Sequence, residues 1–211
     1  YDYKITFHYA NYLFWSKWYK KKESVILATH ENNCSCNHEN KDKILFVSSS
    51  WMDSKEKISD QVDKIINFLK KKMNEFPNIK EFHIKHHPME NEQTIKIIND
   101  LFLDKISQTV MLKFIDKEQS LNEIACDYQI SYGMMSSALN DLKNACNKTK
   151  VYCLKSINVD EFGDDYFLKL FNEDIIFYDD VKNQIDTNVN QYDKYIKSVK
   201  RVKLSNFIKD L

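Results

Sequence analysis

From residue 43 onward, short hydrophobic runs alternate with longer stretches whose apolar positions fall three or four residues apart. The runs ILFVS (44–48), IKEFHIK (79–85), VMLKFI (110–115), YQISY (128–132), VYCL (151–154) and DIIFY (174–178) predict strands. Between them, Ile58, Val62, Ile65, Ile66, Leu69 and Met73 predict a helix over 55–75 that Pro77-Asn78 ends. Ile95, Ile97, Ile98, Leu101 and Phe102 predict a helix over 91–102, and further helices are expected over 117–126, 137–146, 160–171 and 190–210. Strands that alternate with helices in this way call for a parallel sheet covered on both faces. The expectation is an α/β, Rossmann-like, doubly wound domain over residues 41–211.

The first forty residues break this rhythm and read as a linker or the remnant of a preceding domain. Nine of the first nineteen are aromatic, and Lys20, Lys21 and Lys22 follow. That pattern suits a segment packed on the domain. It also suits peripheral membrane association, since aromatics beside lysines favour headgroups. Residues 30–43 are polar and read as a loop. No apolar run reaches the ~20 residues that span a bilayer.

Composition narrows the chemistry. The formal net charge is zero, which argues against a nucleic-acid partner held by a global basic field. Gly133 and Gly163 are the only glycines, so a glycine-rich phosphate loop is excluded. Arg201 is the only arginine among 31 basic residues, so a guanidinium clamp on phosphate is nearly excluded too. Any phosphate must be held by His, Lys, hydroxyl or backbone N–H groups. Cys126, Cys146 and Cys153 stand in apolar contexts and read as small core thiols of a reducing compartment. His30, Cys34, Cys36 and His38 lack a usual structural-zinc spacing and read as part of a solvated loop.

Ligands of open parallel sheets bind at the carboxyl ends of the strands. Three such ends are polar: Ser48-Ser49-Ser50, Lys85-His86-His87-Pro88, and Gly133-Met134-Met135-Ser136-Ser137. Asp116-Lys117, after the third strand, reads as ordinary helix capping. Ser136 and Ser137 open a helix whose first N–H groups and dipole favour an anion, with Gly133 supplying the sharp turn before it. His87 can donate to a phosphate oxygen, and Pro88 fixes the backbone after it. If the strand persists, His86 and His87 point to opposite faces, so at most one faces the ligand. Each feature alone also fits a plain capping serine or a surface turn.

Together, the order strand, K-x-H-P, helix, strand, helix, strand, S-S, helix resembles bacterial sialyltransferases and polysialyltransferases. The HP motif is His87-Pro88 in IKHHPMEN, and the serine motif is Ser136-Ser137 in ISYGMMSSALND. The resemblance runs from Ile44 to about Asp180. It implies the C-terminal, nucleotide-sugar-binding half of a GT-B glycosyltransferase that transfers sialic acid from CMP-sialic acid to a cell-surface glycan. It also implies work in the cytoplasm, at the inner face of the cytoplasmic membrane. In those families the histidine and serines contact the CMP moiety, so His87 would be catalytic and Ser136 and Ser137 would bind the nucleotide; Ser49 and Pro88, from their place at the polar strand ends, are expected to complete the nucleotide site. No cofactor or metal is expected, because no carboxylate cluster accompanies these loops.

One departure concerns the acidic general base, which those enzymes carry in a D/E-D/E-G motif of the N-terminal domain. Asp160-Glu161-Phe162-Gly163 has the wrong spacing, so the base is expected on a missing N-terminal domain. Two other readings stay open. One is a capsule or teichoic-acid transferase using CDP-glycerol or CMP-Kdo; the other is a non-catalytic nucleotide-binding module.

Overall fold

The computed structural model describes residues 42–49, 55–106, 110–134, 136–154 and 175–179, together with short strands at 4–6, 25–29, 184–185 and 202–203. The helices expected over 160–171 and most of 190–210, the loop at 30–41 and most of the aromatic segment lie outside the described residues.

Two sheets are present among the described residues. The smaller joins β1 (Lys4–Thr6), β2 (Val25–Thr29) and β10 (Val202–Lys203), all parallel, with β2 in the middle. Val202 and Lys203 therefore depart from the helix expected there. Pairing with Ala28 and Thr29 draws them into extended backbone, and tertiary pairing overrides a local helical pattern.

The larger sheet is built from β3 (Lys43–Val47), β4 (Glu81–Lys85), β5 (Met111–Ile115), β6 (Ile130–Gly133), β7 (Lys150–Leu154), β8 (Ile175–Asp179) and β9 (Gln184–Ile185). Their order is β5-β4-β3-β6-β7-β8-β9, with six parallel strands and an antiparallel β9 at the edge. Counted from β3, this is the 3-2-1-4-5-6 order of a doubly wound Rossmann-like sheet. The chain winds one way through β4 and β5, then returns across β3 to continue from β6.

Side chains alternate across the strands and build two cores. Ile44, Phe46, Phe82, Ile84, Ile130 and Tyr132 face α1 (Lys55–Glu75) and α2 (Glu92–Lys105), which contribute Val62, Ile65, Leu69, Ile98 and Phe102. Leu45, Val47, Val151 and Cys153 face α3 (Leu121–Ile124) and α4 (Ala138–Ala145), with Ile124, Leu139 and Leu142. Strands buried on both sides explain why their sequences read as near-continuous apolar runs. In the first core the buried Tyr132 hydroxyl donates to the Ile65 carbonyl at 3.2 Å. Cys146 and Cys153 are buried and form no disulfide. Cys126 instead is disulfide-bonded. Irregular cysteine spacing carries no sign of such a pairing.

Gly133 ends β6 beside Val47 of β3. A Cβ there would lie 2.5 Å from the Val47 carbonyl oxygen, 2.9 Å from Val47 Cγ2 and 3.1 Å from Leu139 Cδ2. The glycine is thus required by close approach of β3, β6 and α4, rather than by the turn that the sequence suggested. Because the nearest atom is backbone, relief needs strand movement. Gly133→Ala is expected to lower stability by about 1–3 kcal/mol, as overpacking does. Urea unfolding at neutral pH measures it, and an unchanged midpoint would show that the strands yield freely.

Candidate functional site

Four loops leave the carboxyl ends of β3, β4, β5 and β6, and they enclose one cavity of about 390 Å³. That is within the size range of small-ligand sites. It lies at the switch point between β3 and β6, where the two directions of winding part the loops.

Ser48 extends β3 and ties two loops together. Its N–H donates to the Lys85 carbonyl at 3.0 Å, and its Oγ accepts the His87 N–H at 2.9 Å. Ser48 lines the cavity, whereas Ser49 does not; the Ser49 Oγ is buried with no hydrogen-bond partner among the described residues. The serine triplet therefore places its first member in the wall, a detail that loop composition does not reveal.

Lys85 is buried, and its Nζ donates to the carbonyls of Asp116 and Lys117 at 3.0 and 2.8 Å. Desolvation lowers its pKa, opposed by the nearby charges of Asp116 and Glu118. This lysine fixes the loop after β5, which supplies the wall from Lys117 to Asn122. Sequence reading had set that loop aside as capping. Capping is present, since the Ser120 Oγ accepts the Asn122 N–H at 3.2 Å. Yet position at a strand's carboxyl end was the signal that should have kept it.

Both His86 and His87 belong to the residues around the cavity, but the His86 ring packs on Asn99 and Phe114. β4 ends at Lys85, so strand periodicity does not extend to either residue. His87 is partly exposed, and its Nδ1 accepts the Met89 N–H at 3.2 Å. Its neutral ring therefore carries the proton on Nε2 and offers a donor. His86 is buried, and its Nε2 is 2.7 Å from Asn99 Oδ1 on α2. The ring stacks with Phe114 at a 15° interplanar angle and 6.1 Å between centroids. Burial lowers its pKa, so it is neutral.

Ser136 and Ser137 line the same cavity as His87 and Pro88. The Ser136 Oγ accepts the Ala138 N–H at 3.3 Å. Leu139 N–H donates to Ser136 O, and those of Asn140 and Asp141 donate to Ser137 O, at 2.9 to 3.1 Å. The first-turn amides expected to bind an anion are thus already engaged. The helix contributes its dipole, and the side chains contribute the donors: the two serine hydroxyls, His87 Nε2–H and Lys117. Two carboxylates, Glu118 and Asp141, also belong to the wall. Among the described residues, no group of three or more His, Cys, Asp or Glu could hold a metal. His30, Cys34, Cys36, His38 and the acidic stretch at 160–163 lie outside them. No described helix is long and apolar enough to cross a membrane.

A second buried histidine, His83, is bound on both sides, with Nδ1 2.8 Å from Tyr128 Oη and Nε2 2.7 Å from Glu81 Oε2. It is absent from the cavity wall and cross-braces β4 to the segment before β6. Desolvation outweighs Glu81 and lowers its pKa.

Comparison with known proteins finds no matching family model and no matching curated protein. Among solved structures, the chain is similar to Thermosulfurimonas dismutans KpsC, beta Kdo 2,4 transferase, at 13% identity and a TM-score of 0.36. The likeness covers 69% of this chain and 42% of that one, so the chain spans less than half of that structure.

The two buried histidines predict a pH response. An unfolded histidine titrates near 6.5, whereas His83 and His86 titrate lower when folded. Above that value neither state gains a proton. As pH falls through it, the unfolded chain binds protons first, so stability drops until the folded pKa values are reached. Urea midpoints should therefore fall between pH 7 and pH 5. His86→Gln, which cannot titrate, should make that fall shallower. An unchanged slope would mean that His86 titrates alike in both states.

Proposed function

We propose that this chain is the donor-binding half of a glycosyltransferase, with residues 41–211 binding a CMP-activated sugar and passing sialic acid to a cell-surface glycan. The observation that carries the reading is one cavity at the sheet's switch point, lined by both His87-Pro88 and Ser136-Ser137. These are the motifs whose order resembles the bacterial sialyltransferases. Nothing about either motif alone requires them to meet; the 3-2-1-4-5-6 order brings them together.

In this reading the nucleotide phosphate lies between His87 and the serine pair. His87 Nε2–H donates to a phosphate oxygen, the serine hydroxyls donate from the opposite wall, and Lys117 and the α4 dipole favour the negative charge. As the bond from sugar to phosphate breaks, charge accumulates on the departing CMP. A donor fixed by Met89 and Pro88 before that moment stabilises the transition state more than the bound donor sugar. The wall needs no divalent ion for this work, because His, Ser and Lys groups supply the positive side. The acceptor's general base comes from outside the described residues.

A thermal-shift series with CMP, CDP, UMP, UDP and GDP tests the nucleotide, since a ligand of the native state raises apparent stability. CMP should give the largest shift, unaffected by EDTA. A shift with UDP and none with CMP would overturn the donor assignment. Losing a hydrogen bond to a charged group costs ~1.5–3 kcal/mol, roughly 10- to 150-fold in affinity. His87→Ala and the double variant Ser136→Ala/Ser137→Ala are each expected to weaken CMP by about that factor in calorimetric titration.

A further inference from the structure

The hydrogen-bond ladder between β3 and β4 ends with a side chain in the place of main chain. The strands pair in register from Lys43 opposite Glu81 to Val47 opposite Lys85. The next step of a parallel ladder would pair Ser48 with His86 through two bonds: Ser48 N–H to the Lys85 carbonyl, and His87 N–H to the Ser48 carbonyl. The first is made at 3.0 Å. For the second, the His87 N–H goes to the Ser48 Oγ, at 2.9 Å. The hydroxyl thus stands in for a carbonyl where the two strands end and the cavity opens. Two further bonds fix His87 within its own turn. Its carbonyl accepts the Glu90 N–H at 3.0 Å, with Pro88 at the second position, and its Nδ1 accepts the Met89 N–H at 3.2 Å. Both are internal to residues 87–90 and move with the turn. Of the three bonds, the one to Ser48 joins His87 to the neighbouring strand.

We propose that Ser48 is a positioning residue for His87: its hydroxyl anchors the turn that presents the His87 imidazole to the cavity. The inference rests on the reading of His87 as the phosphate donor of a nucleotide site, and it requires no contact between Ser48 and the ligand. Ser48 is buried, whereas His87 is half-buried and lines the cavity. Without the hydroxyl, the turn keeps its internal bonds but loses its tie to β3, and the His87 N–H is left without its acceptor. The imidazole then samples a range of positions, and a donor that acts by being preorganised loses its advantage. The effect is confined to the part of a ligand that His87 meets. The walls from Lys117 to Asn122 and from Ser136 to Asp141 are held by other bonds.

The test titrates the wild type, Ser48→Ala, His87→Ala and the double variant calorimetrically with CMP and with cytidine, which lacks the phosphate. Ser48→Ala should bind CMP about 10-fold more weakly, and cytidine within about 2-fold of the wild type. In the His87→Ala background, Ser48→Ala should cost less than about 2-fold more, because nothing is left to position. Ser48→Cys, close in size but a weak acceptor, should show the same phosphate-dependent loss and guards against a variant that fails to fold. Equal losses on CMP and cytidine would make Ser48 a purely structural residue and overturn the proposal. Fully additive losses in the cycle would do the same. Unchanged CMP affinity in Ser48→Ala, with a loss in His87→Ala, would overturn it while leaving the nucleotide site intact. Absence of CMP binding to the wild type would overturn both. Nitrogen-15 NMR reads the anchor without any ligand. In Ser48→Ala the His87 ring should keep its proton on Nε2, since Met89 still holds Nδ1, while the His87 amide exchanges with solvent at least about 10-fold faster. An amide equally protected in Ser48→Ala would end the proposal.

Discussion

The site depends on the reversal of winding at β3. Because β4 and β5 are laid down on one side of β3 and β6 on the other, the connections run along opposite faces. The loops after β3 and β6 therefore part instead of packing together, and the cavity opens between them. The reversal also demands that β3 and β6 be neighbours at their ends, where Gly133 meets Val47. A side chain at that point would push apart the two strands whose loops form the walls. One of the chain's only two glycines stands at this position, which makes sense as a packing requirement.

A second layer of constraint keeps the parted loops in register. Ser48 binds the backbone on both sides of His86, and Lys85 reaches across to the loop after β5. Each neutral bond contributes only about 1 kcal/mol to stability. Their larger effect is on placement, since they link three of the four loops through backbone atoms. The cavity thus depends on hydrogen-bonded main chain in place of the glycine-rich loop or arginine clamp that this composition excludes. Lys85 is consumed by that role, which leaves Lys117, the histidines and the serines to meet a ligand.

Much of this was legible because burial on both faces writes a simple pattern. The helix at 55–75 and the strand runs emerge from periodicity alone, since α1 shows a regular apolar face and the strands show none. The polar loops after β3, β4 and β6 were also legible, because strand ends are where open sheets bind ligands. What the sequence obscured depends on tertiary detail. Strand periodicity separates His86 and His87 only if the strand persists, and β4 stops at Lys85. The wall from Lys117 to Asn122 showed only its capping residues. Val202 and Lys203 carried a helical pattern but pair with β2. The first-turn amides of α4 looked available, and the local 3₁₀-type bonds to Ser136 and Ser137 occupy them.

That last point changes the chemistry expected of the site. A helix N-terminus with open amides binds an anion through rigid backbone donors that substitution cannot remove. Here those donors are engaged, so under the proposed reading a phosphate meets side chains: two hydroxyls, the His87 imidazole and a lysine. Side-chain donors can be altered singly. His87, whose Nδ1 is taken by the Met89 N–H, is the imidazole placed to offer a donor there.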